Sequence, residues 1–157
     1  MAISPTREQF SEFAHGTREG EVVMLNLLHF ARPDEAAGVR HVEDMSRSSG
    51  AGAYREYSDQ VIEMVESRGG RVVWSGRPEH VLIGDSERDG WDLVALVSYP
   101  SRTAFMEMVT SPKYEQAHEH RARGLDRTVL LACEPVLNAL SSRAVDGGGS
   151  GESHGDG

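Results

Sequence analysis

The sequence predicts an α+β domain: one helix, then a βαββαβ run whose strands pair antiparallel in a single sheet. Three observations predict it. Apolar residues switch between a period of two and a helical period in the order strand, helix, strand, strand, helix, strand. Capping and breaking residues stand at the segment boundaries. The chain has 157 residues, enough for one domain of ordinary size.

Ser4-Pro5-Thr6 reads as a helix start, and Phe10 and Phe13 give the short first helix one apolar stripe to about Gly16. Residues 21–30 form a strand that is nearly continuous in apolar character, with Asn26 in its middle. Arg32-Pro33-Asp34 breaks it, and residues 31–50 read as a long polar loop of the kind that serves as a lid or mobile segment. The clearest helix spans 53–68: Tyr54, Tyr57, Val61, Met64 and Val65 share one stripe, and Gly69-Gly70 closes it.

Residues 71–76 and 80–84 read as two short strands joined through Gly76-Arg77-Pro78, with a turn at 86–90 and a further apolar strand at 91–99. Ser101 caps the next helix, Ser111-Pro112 restarts it to about Gly124, and 127–134 is the last strand. The result is the split βαβ pattern of ferredoxin-like domains. Three regions are expected: an N-terminal helix and linker (1–19), the α/β domain (20–140), and a disordered Gly-rich tail (141–157) holding His154.

The two sheet faces carry a second message. Side chains alternate across a strand. One face of the first strand collects Val23, Leu25 and Leu27, the other Val22, Met24 and Leu28. The strand at 91–99 divides likewise, Leu93, Ala95 and Val97 against Val94 and Leu96. Two helices cover only one face. A second copy of the same sheet is the economical cover for the other, so a homodimer is expected.

Bulk properties narrow the partners. A formal net charge of −9 repels nucleic acid and anionic membrane surfaces, so neither is an expected partner. The one cysteine, Cys133, sits in an apolar run, which suits a reducing cytoplasm and offers neither an intrachain disulfide nor a cysteine metal site. No signal peptide and no membrane span are expected from the residue pattern.

A set of segments in this order resembles the DUF1330 family of the dimeric α/β-barrel superfamily. They are Val23-Met24-Leu25-Asn26-Leu27-Leu28, the pair Tyr54 and Tyr57, Gly69 through Gly76, Trp91-Asp92, Tyr99-Pro100-Ser101-Arg102 with Phe105, and Pro112-Lys113-Tyr114 followed by His120-Arg121. The similarity spans roughly residues 20–135. It implies a dimeric α/β barrel in which two sheets face each other, with a pocket beside each sheet. Reaction does not follow from fold. The superfamily includes cofactor-free monooxygenases, isomerases, cyclases, haem proteins and binding modules.

Within that frame the candidate catalytic residues are His120, Arg121 and Tyr114. His120 titrates near neutrality and matches the family pattern, so it is the expected acid or base. Arg121 suits a carboxylate or enolate clamp. Tyr114, His118 and Arg121 share one helix face, while Gln116 and His120 share another, so the two histidines do not serve one metal. Asn26, Trp74, His80, Trp91 and Tyr99 are the candidate substrate-binding groups. Asn26 has two open readings, a substrate contact or a tie to a bulge or neighbouring loop. Asp92 reads as a strand-edge charge, a candidate base if buried. His29 and His80 would meet if their strands were neighbours, and His41 lies in the long loop.

The leading expectation is a cofactor-independent small-molecule tailoring enzyme: isomerisation, cyclisation, elimination or O₂-dependent oxidation. A non-catalytic ligand-binding dimer is the alternative, and a haem- or metal-dependent enzyme of the same fold the second. No cofactor or metal is expected, since no phosphate loop or ligand-spaced cluster appears.

Overall fold

A computed structural model of the chain describes residues 3–32, 50–137 and 139. In order it contains α1 (Arg7–Ala14), β1 (Val22–Phe30), α2 (Gly50–Ser67), β2 (Arg71–Gly76), β3 (Leu93–Tyr99), α3 (Arg102–Val109), α4 (Pro112–Gly124) and β4 (Leu125–Cys133). The four strands form one antiparallel sheet in the order β2-β3-β1-β4. This is the ferredoxin-like α+β fold with an added N-terminal helix, as the sequence predicts.

Local chemistry explains the boundaries. Thr6, not Ser4, caps α1: its hydroxyl accepts from the Gln9 amide at 3.1 Å while the Gln9 side chain accepts from the Thr6 amide at 2.9 Å. Ser4 is thereby left free for a distant contact. Ser101 caps α3 and Ser111 caps α4, with Pro112 in the first turn of α4. Gly69, at φ 77°, closes α2 in the left-handed region, where a Cβ would be strained.

The two faces of the sheet differ as the alternation requires. Val22, Met24 and Leu28 lie under the helices, and Leu28 is 0% exposed. Each such side chain contributes about 1.5–3 kcal/mol by leaving water. The register sets Met24 opposite Val97 and Leu28 opposite Leu93 on that same face. Val61, Met64 and Val65 of α2, Met108 of α3 and Ala117 of α4 complete this core. The opposite face carries Val23, Leu25 and Leu27, Val94 and Leu96, Val129 and Leu131, and Trp74. No helix among the described residues covers it, and Trp74 remains 46% exposed.

One expected strand is absent. Residues 80–84 form bends, not strand, and Leu82 and Ile83 are 92% and 95% exposed. The run is apolar enough for a strand. It lies beyond Pro78 and pairs with nothing in the sheet, and Gly84 takes φ 133°. The remaining boundary shifts are small: β3 begins at Leu93 and β4 at Leu125. The expected lid at 31–50 and the tail at 141–157 lie, but for residues 31, 32 and 50, outside the described residues.

Candidate functional site

The sheet's helix-covered face holds a connected set of polar and aromatic groups. Helix α4 presents Tyr114, His118 and Arg121 at helical spacing beside the buried Ala117. Helix α2 presents Tyr54 and Tyr57 to them. The two helices come together at a glycine pair, where a Cβ on Gly124 would lie 2.7 Å from the Gly50 carbonyl oxygen. That close approach brings the phenols within reach of α4.

Ring contacts run from Phe30 to Tyr54 (5.5 Å), Tyr54 to Tyr57 (5.4 Å), Tyr57 to Tyr114 (6.2 Å) and Tyr114 to His118 (5.9 Å). The Tyr57 and Tyr114 hydroxyls meet at 3.1 Å. Burial pushes the Tyr57 phenol well above its usual value, with neighbouring Tyr114 adding to the effect. Burial raises Tyr54 as well. Both phenols therefore stay protonated near neutrality and act as donors, not as bases.

Arg121 lies at the foot of this row and is only 6% exposed. Its NH1 donates to the Ile3 carbonyl at 2.6 Å, and its NH2 reaches the Thr128 hydroxyl at a long 3.5 Å. Thr128 in turn donates to the Leu27 carbonyl at 2.9 Å. No carboxylate among the described residues pairs with this guanidinium. His118 stands one helical turn away. Its Nε2 bonds the Ser4 hydroxyl at 3.0 Å, and its Nδ1 is buried without a partner among the described residues. Burial, then the Arg121 charge, lowers the His118 pKa below 6.5. The imidazole is therefore neutral near pH 7 and able to accept a proton.

The sequence-predicted residues do not form one site. Tyr114 and Arg121 belong to this cluster. His120 does not: its Nδ1 meets Glu56 Oε2 at 3.1 Å and the Arg123 guanidinium at 2.6 Å, on the flank of α4 turned away from Arg121. Asn26 is on the helix-covered face, where its amide donates to the Met24 and Ala95 carbonyls at 3.2 and 3.4 Å. Both acceptors lie in strands of the sheet, so these bonds reach neither a loop nor a ligand. Tyr99 is buried at the other end of the core, its hydroxyl 3.9 Å from the Met108 sulfur, and burial raises its pKa.

Trp74 faces the open side of the sheet. Trp91 stacks with the Arg127 guanidinium at 4.4 Å. His80 lies in the exposed 80–84 segment, and His29 pairs instead with Asp126 at 3.2 Å. Asp92 accepts the Phe30 amide at 2.8 Å and so ties the end of β1. No group of three metal-ligating side chains occurs among the described residues, and His41 is not among them.

His118, which the sequence reading left out of the candidate site, joins this cluster. Its shared face with Tyr114 and Arg121 was readable from the spacing, but its contact with Ser4 spans 114 positions and leaves no local signal. An open cleft of about 840 Å³ lies elsewhere, between the α1–β1 linker and α3, lined by Arg18, Glu19, Arg102 and Glu107 among others. The Tyr–His–Arg cluster itself is closed over by residues 3 and 4.

Comparison with known proteins agrees with the fold. The chain is similar to RPA0582, described as a protein of unknown function from Rhodopseudomonas palustris. Over 87% of this chain and 98% of that one, identity is 34% and the TM-score 0.73. A structure of the methylated form of RPA0582 matches with 34% identity, TM-score 0.74, and 88% and 97% coverage. A dabb family protein with a ferredoxin-like fold from Mesorhizobium loti is far more distant, at 7% identity and TM-score 0.47 over 74% of this chain and 98% of that one. No curated protein matches the chain. The family described as a domain of unknown function, DUF1330, matches residues 42–134, more than half of the sequence, and the chain belongs to that family.

Proposed function

We propose that the protein is a cofactor-independent enzyme that performs acid–base chemistry on a small anionic or enolisable metabolite held at Arg121. The observation that carries this reading is the buried Arg121 guanidinium with no carboxylate partner among the described residues. A buried charge without a counter-charge is costly. An anionic ligand would offset that cost, and the long bond to Thr128 leaves donor capacity for it.

Arg121 serves as the clamp, the role the sequence suggested, and Tyr114 as a hydrogen-bonding group beside it. The base becomes His118 in place of His120, because it is neutral and adjoins the clamp. With a clamped enolate, a neutral imidazole and a phenol hydroxyl, the site suits isomerisation, cyclisation or elimination. Abstraction of the same proton would also open a carbanionic substrate to O₂. The test is turnover by a panel of keto and hydroxy acids. His118→Gln should lower kcat by about 10²–10⁴-fold, whereas His120→Gln should not. The reverse pattern would move the base back to His120.

A second reading, a non-catalytic binding dimer, is favoured by the protonated tyrosines, which can hold a ligand without reacting. Both readings include a homodimer. The apolar face of Val23, Leu25, Leu27, Leu96 and Leu131 supports it, because a contiguous apolar sheet face of that kind marks an association surface. A two-fold axis through that face would pair it with itself.

A further inference from the structure

Residues 3 and 4 make an unusual pair of contacts. The Ile3 carbonyl oxygen takes the bond from Arg121 NH1 at 2.6 Å, and the Ser4 hydroxyl takes or gives the bond at His118 Nε2 at 3.0 Å. These are the two groups that the proposed site would use on a ligand: the clamp and the base. The segment is not needed to start the following helix, because Thr6 and Gln9 supply the capping box without it. Ser4 is exposed at its other surfaces, and Ile3 is partly so.

We infer that Ile3-Ser4 is an internal stand-in for the ligand, an intrasteric strap that fills the Arg121–His118 site and is displaced when the ligand enters. This rests on reading Arg121 as an anion site. A carbonyl oxygen is a neutral acceptor, and a carboxylate forms a stronger, charge-assisted bond with the same guanidinium. The exchange is therefore favourable at the clamp, while the strap's own release from two bonds sets a threshold on ligand affinity.

The strap also indicates the ligand's chemical class. Its carbonyl carbon and its hydroxyl oxygen are joined through the amide nitrogen, Cα and Cβ of Ser4. The matching ligand is a small acid bearing a hydroxyl on its γ carbon, or a carbonyl compound of the same spacing. Tyr114, stacked on His118, would flank its chain.

Hydrogen exchange read by mass spectrometry on the full chain, with γ-hydroxybutyrate as probe and butyrate as control, tests the inference. Saturating γ-hydroxybutyrate should speed exchange across residues 3–9 and slow it across residues 114–121. Butyrate should bind about fivefold more weakly, for want of one hydrogen bond. Ser4→Ala, which leaves the α1 cap intact, should bind γ-hydroxybutyrate about fivefold more tightly by weakening the strap. If the probe binds and Arg121→Met abolishes binding, yet residues 3–9 exchange no faster, the strap is wrong and the site reading stands. Equal affinity for butyrate would overturn the γ-hydroxy class. If neither acid binds the wild type or Ser4→Ala, the site reading and the strap fall together.

Discussion

The hydroxyls of Tyr57 and Tyr114 meet at 3.1 Å, joining the two helices that cover the sheet. Neither phenol is isolated: each also packs edge-on against the other's ring at 6.2 Å, and the pair continues into Tyr54 and His118. The contact is both a structural tie between α2 and α4 and the wall of the proposed site.

The tie should be cooperative. Tyr57→Phe and Tyr114→Phe should each cost about 0.5–1.5 kcal/mol in urea denaturation, through loss of one buried hydrogen bond. The double variant should cost less than the sum, because each single change already removes the shared bond. Additive losses would show that the two hydroxyls do not depend on one another.

The helix crossing is a close backbone approach at the site. Gly124→Ala would place a Cβ 2.7 Å from the Gly50 carbonyl oxygen and 2.9 Å from the Tyr54 amide nitrogen. Both neighbours are backbone, so the helices must part. A loss of about 1–3 kcal/mol is expected from overpacking, read as a lowered urea midpoint with an unchanged slope.

Much of this arrangement is legible in the sequence. The stripe of Tyr54, Tyr57, Val61, Met64 and Val65 and the alternation along β1 fix which faces are buried, because both follow from backbone periodicity. Ser101, Ser111 and Gly69 mark their helix ends by local chemistry. Residues 80–84 misled because apolar content was read without a pairing partner, and pairing is non-local. The proximity of His118, not His120, to Tyr114 and Arg121 was hidden for a related reason. Helical spacing groups residues on a face but does not say which face meets the sheet, and Glu56, on another helix, draws His120 outward.

Stability should depend on pH through His118. Its folded pKa lies below 6.5, chiefly because of burial and secondarily because of Arg121. The unfolded chain therefore takes up the proton first on acidification. His118's contribution is fully present above 6.5 and is lost as pH falls from there through the lowered folded value. His118→Gln should flatten that part of the pH–stability curve. An unchanged curve would show that another group sets it.

The open sheet face should hold two chains together. Wild-type protein should sediment at twice the 17.2 kDa chain mass. Leu25→Asp, on the uncovered face opposite Leu96 and Leu131, should shift it to monomer at micromolar concentration while the far-ultraviolet circular dichroism persists. A wild-type protein that is monomeric at those concentrations would remove the dimer.

The most direct test of the account is a calorimetric titration of a small carboxylate into wild-type protein and Arg121→Met. Methionine is of similar length and carries no charge, so the variant should fold with stability near or above wild type, because replacing a buried charge by an apolar side chain is often neutral or stabilising. Saturable binding at one carboxylate per chain that disappears in the variant is the predicted result. Equal binding by both proteins, or none by wild type, would contradict Arg121 as the centre of the site.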